Sequence, residues 1–152
     1  MIILLTIIVF SIDIISKVIV NRYIDLGDSI RLIGEYCYLT NVRNTGVAWS
    51  MFDNNSFLVL FISFMIIIGL TIYIIKNKPN MIIEKIAYAF ILGGAIGNFI
   101  NRCINGYVID FIGIKILDYN YPIFNLADSF IVIGVILLII YTWRCNNGNK
   151  SR

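Results

Sequence analysis

Two aspartates stand where an ionised carboxylate is costly. Asp128 lies in Phe124-Asn125-Leu126-Ala127-Asp128-Ser129 and opens an apolar run that carries no charge from Ser129 to Thr142. Asp110 lies in Val108-Ile109-Asp110-Phe111, in an equally apolar setting. An ionisable residue at the edge of a hydrocarbon-length segment is a functional-site hypothesis by default. If the two meet, they cannot both ionise cheaply; one pKa rises and the pair shares a proton. Such a pair can take a proton from water with one carboxyl and deliver one to a carbonyl oxygen or leaving amine with the other. Low-dielectric surroundings exaggerate the splitting, so a membrane edge suits this hydrolytic chemistry. Asn44, Asn98, Arg102 and Asn125 are the residues able to orient the carboxylates or donate to a substrate carbonyl. On spacing alone, Asp110 equally fits a turn and Asp128 a helix N-terminus favoured by the dipole.

Other chemistries are excluded by what is missing. The chain has no histidine, which removes a Ser–His–Asp triad, a Cys–His pair and an HExxH zinc helix. Its three cysteines (Cys37, Cys103, Cys145) have no CxxC spacing, so neither a disulfide framework nor a zinc site is implied, and they read as incidental apolar fillers. The net charge of +3 is small and scattered, with no basic stripe to suggest nucleic acid.

The elements that must position these residues are membrane spans. Of 152 residues 59% are apolar and 14% charged, far from the roughly 25% charge of a soluble domain. Residues 2–21 form a first span, without the basic start and small-residue cleavage site of a removable signal peptide. Its Asp13 and Lys17 are four residues apart and share one helical face. The plain reading of the two is a self-neutralising ion pair, which must still face protein or water and not lipid. Residues 57–75 are free of charge and long enough to cross a core of about 30 Å. A third span covers 81–100, with Glu84 and Lys85 at its start and Gly93 and Gly97 at the spacing that lets helices approach closely. Asn98 and Arg102 share a face at its far end. A fourth span covers 124–143.

Between the first two spans, residues 22–54 change character. Tyr36, Tyr38, Thr40 and Val42 alternate with Cys37, Leu39, Asn41 and Arg43, a period of two that predicts a small half-buried sheet. Asn44-Thr45-Gly46 reads alone as a turn, and Trp49 and Phe52 as interfacial aromatics. Asn105-Gly106 predicts a two-residue hairpin. The fold class expected is therefore mainly α: one integral membrane domain over 1–152, with four transmembrane helices and a small extracytoplasmic β-sheet between helices 1 and 2.

Four spans put both termini on one side. Lys76, Lys78 and Lys85 crowd the short second connection, and Arg144, Lys150 and Arg152 the tail, so these regions are expected in the cytoplasm. Both aspartates then face the outer surface. Two competing functions are a Ser–Lys protease, with Lys17 activating Ser16 or Ser50, and a small transporter or channel subunit with an ion path along Asp13, Lys17 and Asp128. Adjacent Ser16 and Lys17 point about 100° apart on a helix. A conducting path needs polar groups strung through the bundle, and the second span has no charge.

Taken together the motifs resemble one family, lipoprotein signal peptidase, also called signal peptidase II. Asp13-Ile14-Ile15-Ser16-Lys17 resembles its DxxSK motif. Asn44-Thr45-Gly46-Val47-Ala48-Trp49-Ser50 resembles its NxGxAW-type motif, and Gly93 to Arg102 its GGAxGNxxDR motif. Val108-Ile109-Asp110-Phe111 resembles VVDF, and Phe124 to Ser129 resembles FNxADS. Each is weak alone; five in order across almost the whole chain are specific. The resemblance implies an aspartic endopeptidase with Asp110 and Asp128 as the catalytic pair. It implies supporting roles for Asp13, Lys17, Asn44, Gly46, Asn98, Arg102, Asn125 and Ala127, and no metal or organic cofactor. The implied substrates are diacylglyceryl-modified prolipoproteins of a bacterial cytoplasmic membrane, cut before the lipidated cysteine, by a monomer among membrane lipids. The sheet region would carry the substrate, and the segment 107–123 has the glycines and aromatics that permit a lid. One departure is visible: Asn101 stands where the family pattern has aspartate, and its amide is expected to keep a hydrogen bond while losing the charge.

Overall fold

The computed structural model describes residues 1–46 and 56–150, with side-chain detail for 1–46 and 57–146. Four helices dominate: α1 Ile2–Tyr23, α2 Ser56–Asn77, α3 Ile82–Asn105 and α4 Leu126–Lys150. All four are long and apolar enough to cross a membrane. Their outward surfaces leave residues such as Ile3, Val18, Phe57, Ile66 and Ile139 exposed, as befits side chains whose solvent is lipid.

The third helix is central. It packs against α1, α2 and α4, the two largest contacts being with α4 and α1. Its glycines explain why. A methyl group at Gly93 would strike Val9 and the Thr6 carbonyl of α1, and one at Gly97 would strike the Asp13 carboxylate. One at Gly94 would strike the Ala127 carbonyl at the start of α4, and Gly134 of α4 lies equally close to the Ala87 carbonyl. Residues 93 and 97, four apart, therefore serve α1 while 94 serves α4, the close approach that small residues permit in membranes.

Four antiparallel strands form one sheet in the order β1 (Ser29–Ile33), β2 (Cys37–Asn44), β3 (Val108–Ile116) and β4 (Tyr119–Asn120). The expected sheet between helices 1 and 2 is present as β1 and β2, and the third connection completes it. Register pairs Val42 with Asp110 and Asn44 with Val108, across an irregularity between Leu39 and Val42. Beneath the sheet Val20 and Ile24 pack against Ile109 and Phe111, with Leu39 and Leu126 alongside. Asn41 fixes this seam by donating to the Ile24 carbonyl at 2.8 Å. The sheet is thereby tied to the end of α1, and β3 carries Asp110 back across the bundle.

The hairpin expected at Asn105-Gly106 is not formed. The third helix continues to Asn105, and Gly106, at φ +79°, caps it by donating to the Arg102 carbonyl. The left-handed backbone that glycine supplies serves a helix C-terminus as well as a hairpin, and the longer helix used it first. The cysteines depart from the filler reading in part: Cys37 is half-buried, but Cys103 and Cys145 are exposed. Trp49, Phe52, Ser50 and Arg152 lie outside the described residues.

Candidate active site

The first turn of α4 is built by its own sequence. Asn125 precedes the helix, and its Oδ1 accepts the Asp128 N–H at 3.1 Å, while an Asp128 carboxylate oxygen accepts the Asn125 N–H at 3.1 Å. This reciprocal arrangement is a capping box made of Asn and Asp, satisfying two N-terminal donors at once. A third, the Ala127 N–H, donates to Asp13 of α1 at 3.0 Å. The cap so fixes Asp128 that its carboxylate direction is set by backbone.

Asn125 is fully buried and its remaining group, the Nδ2 amide, reaches Asp110 at 2.6 Å and the Asn98 oxygen at 3.2 Å. One residue thus touches both aspartates. Each aspartate has a second, separate amide donor: Asn44 Nδ2 to Asp110 at 2.8 Å and Asn98 Nδ2 to Asp128 at 2.7 Å. Every carboxylate oxygen so named keeps a further lone pair for a water or substrate group.

Behind them sits the Asp13–Lys17 pair, bonded at 2.7 Å and almost wholly buried, with 0% and 1% of the two side chains exposed. It is more than a self-neutralising pair. Lys17 also donates to Asn98 Oδ1 at 2.8 Å, leaving the Asn98 amide aimed at Asp128. Asp13 accepts from α4, as described. Removing either partner would leave the other charge buried and unpaired, which typically costs several kcal/mol.

Arg102 is buried and does not snorkel. Its Nη2 donates to the Gly46 carbonyl, while its Nε is buried without a hydrogen-bond partner among the described residues. Gly46 in turn donates its N–H to Asn44 Oδ1 at 3.0 Å. Arg102 and Gly46 therefore hold the chain just after β2, and through Asn44 they hold Asp110. Asn101, one residue earlier, accepts the Ile109 N–H at 2.9 Å. The amide keeps a hydrogen bond where the family pattern has a carboxylate, and that bond anchors β3 next to Asp110.

Both aspartates line a cavity of about 410 Å³ together with Asn44, Asn98, Arg102 and Asn125. Its other walls are mostly apolar, among them Val59, Ile91, Ala95, Ile131 and Val132 from three helices. Asp110, 3% exposed, has its pKa pushed up to about 6 by burial and by the Asp128 charge, against the opposing pull of Asn44, Asn125 and Lys17. All ten residues singled out in the sequence are gathered here. Ser63 of α2 was not among them, though it lines the cavity; its hydroxyl bonds the Val59 carbonyl at 2.8 Å. A lone serine in an apolar span gives no signal beyond that ordinary backbone bond. Ser16 likewise bonds the Asp13 carbonyl, and Lys17 is engaged by Asp13 and Asn98.

Residues 5–144 match the family model for signal peptidase (SPase) II. The chain belongs to the signal peptidase II family. It is 42% identical to the lipoprotein signal peptidase of Anoxybacillus flavithermus, over 92% of this chain and 83% of that one. The lipoprotein signal peptidase of Bacillus subtilis is 39% identical, over 90% and 89% of the two chains. A solved bacterial membrane enzyme, determined by the in meso method at 2.3 Å resolution, superimposes with a TM-score of 0.90 at 34% identity, covering 99% of this chain and 92% of that chain. The protein is accordingly a multi-pass membrane protease of the signal peptidase II class, and neither the Ser–Lys nor the transport alternative is favoured.

Proposed function

We propose that this family member removes signal peptides from diacylglyceryl-modified prolipoproteins by cleaving before the lipidated cysteine, with Asp110 and Asp128 as the catalytic pair. The observation that carries the assignment of the pair is Asn125: its side-chain amide binds Asp110 and its backbone N–H binds Asp128. Two carboxyl groups so tied, on the wall of one cavity, can divide the roles of base and acid. The ionised partner takes a proton from a water, the water attacks the scissile carbonyl, and the protonated partner supplies a proton to the carbonyl oxygen. The tetrahedral intermediate then collapses, the C–N bond breaking as the first carboxyl gives its proton to the leaving amine and the second takes one back from the hydroxyl. A pKa of about 6 suits Asp110 to exchange protons near neutrality. Asn98, Lys17 and Asp13 position Asp128, while Asn44, Gly46 and Arg102 position Asp110.

The apolar walls from α2, α3 and α4 fit a signal peptide that arrives as a hydrophobic segment, its acyl chains remaining in lipid. The basic connection at Lys76 to Lys85 supports a cytoplasmic location for that loop and both termini, with the carboxylates near the outer face. The protein then works as a single integral membrane domain and a monomer. The test is cleavage by the purified protein of a prolipoprotein with and without its diacylglyceryl group, the products mapped by mass. Cleavage before the cysteine of the lipidated form alone is expected; equal cleavage of both forms, or cleavage at another bond, would refute the substrate assignment. Reporter fusions that place Lys78 outside would refute the orientation.

A further inference from the structure

The end of the bundle remote from the carboxylates holds a second cavity that the hydrolysis does not use. α3 packs against both α1 and α2, but those two helices make no comparable contact with each other. The gap is a groove of about 450 Å³, floored by α3 and walled by Ile2 and Ile3 on one side and Ile74 and Ile75 on the other. Leu92 lies deeper along it, and Lys85, half-buried in the first turns of α3, lies in its wall. Lys85 precedes Asn98 by thirteen residues, about 20 Å along the helix, so the groove is distinct from the peptidase site.

Charge distinguishes this groove from an ordinary lipid-facing seam. No carboxylate pairs with Lys85 among the described residues. The neighbouring Glu84 is rotated about 100° around the helix and lies toward Tyr141 of α4. Lys76 ends α2, and Lys78 follows it with its N–H bonded to the Ile74 carbonyl and a left-handed backbone at φ +46°. Lys85 thus lines the apolar slot itself, and Lys76 and Lys78 stand at the connection between α2 and α3, which both border it, in a part of the protein that faces lipid. An ammonium at the edge of hydrocarbon is costly without an anion and extends toward the headgroup layer to find one. The matching ligand is an amphiphile with an apolar chain and an anionic head, and basic pockets between membrane helices take lipid headgroups in this way.

We propose that the α1–α2–α3 groove binds one anionic glycerophospholipid, an acyl chain lying between Ile3 and Ile75 and the phosphate held by Lys85 with Lys76 and Lys78. Bound there, the lipid bridges two helices that have little contact with each other among the described residues, and so it braces the bundle. The assignment holds for either orientation of the chain in the membrane.

The experiment is thermal unfolding of the full-length protein in neutral detergent with added phosphatidylglycerol or phosphatidylcholine of identical chains, paired with native mass spectrometry of retained lipid. Phosphatidylglycerol is expected to raise the melting midpoint by several degrees more than phosphatidylcholine and to be retained at least threefold better. Lys85→Gln should abolish that preference, Lys85→Arg should keep it, and Lys115→Gln, on the distant sheet, should leave it unchanged. Equal effects of the two lipids on the wild type, or a preference that survives in Lys85→Gln, would overturn the proposal. So would inorganic phosphate reproducing the whole shift, since the chain in the groove would then contribute nothing.

Discussion

Asp110 holds its proton more tightly in the folded protein than in the unfolded chain, so its replacement by asparagine should change stability in a pH-dependent way. The cause is burial, reinforced by the Asp128 charge, which lifts its pKa from an ordinary 3.8 to about 6. Stability falls with rising pH wherever the folded state binds more protons than the unfolded one. For Asp110 that window runs from about pH 3, below which both states carry the proton, to about pH 7, above which both have lost it. The increase in proton affinity corresponds to about 3 kcal/mol at 1.36 kcal/mol per tenfold change. Wild-type protein should therefore lose about 2.5 kcal/mol of this, relative to Asp110→Asn, between pH 4 and pH 8. Comparing the difference at two pH values removes the pH-independent cost of the substitution, chiefly the awkward meeting of the new Nδ2 group with Asn44 or Asn125. The assay is unfolding of both proteins in the same detergent across that range. By the scaling of soluble domains, the gap between midpoints should change by roughly 5–10 °C. A gap that is constant from pH 4 to pH 8 would refute the reasoning, because Asp110 would then titrate alike in both states.

Other perturbations follow from the same contacts. Asn125→Ala removes an N-cap and a carboxylate donor to Asp110, and should cost about 1–2 kcal/mol of stability; kcat/KM for prolipoprotein cleavage should fall at least a hundredfold, and a loss under tenfold would show that the shared amide is dispensable. Gly97→Ala places a methyl group against the Asp13 carboxylate and should destabilise by about 1–3 kcal/mol, with activity lost alongside; Gly69→Ala, with open space around the added methyl, should be stable and active, so equal behaviour of the two variants in melting and cleavage would contradict the packing argument. Asn101→Asp keeps an acceptor for the Ile109 N–H and should alter turnover only a few-fold, whereas Asn101→Ala should cost about 1–3 kcal/mol in thermal unfolding; a manyfold gain in turnover on Asn101→Asp would mean that a charge is wanted there.

Much of this molecule is legible in its sequence because a membrane leaves few options. With no water available to the backbone, apolar runs near twenty residues must become helices, and four such runs define the bundle. The same scarcity makes each internal polar residue conspicuous, so Asp13, Lys17, Asn98, Arg102, Asp110, Asn125 and Asp128 could be named before their meeting was seen. What could not be read was who bonds whom. The capping box at Asn125 and Asp128 is a local pattern, but the reach of the Asn125 amide to Asp110 depends on β3 crossing over the bundle. That crossing depends on Asn101, and Asn41 ties the adjoining sheet to the end of α1. Both are contacts between distant segments. Asn105-Gly106 misled because one dipeptide serves two turns with the same left-handed backbone need. Ser63 carried no signal because only the tertiary arrangement of α2 puts it on the cavity wall.

Single substitutions Asp110→Asn and Asp128→Asn, assayed for cleavage of a diacylglyceryl-modified prolipoprotein by purified, folded enzyme, test the catalytic pair most directly. Each keeps the side chain's size and removes its titratable group. Cleavage should be lost by at least a thousandfold in both, with unfolding still cooperative and membrane insertion intact. Wild-type turnover in either variant would contradict the assignment of the two aspartates.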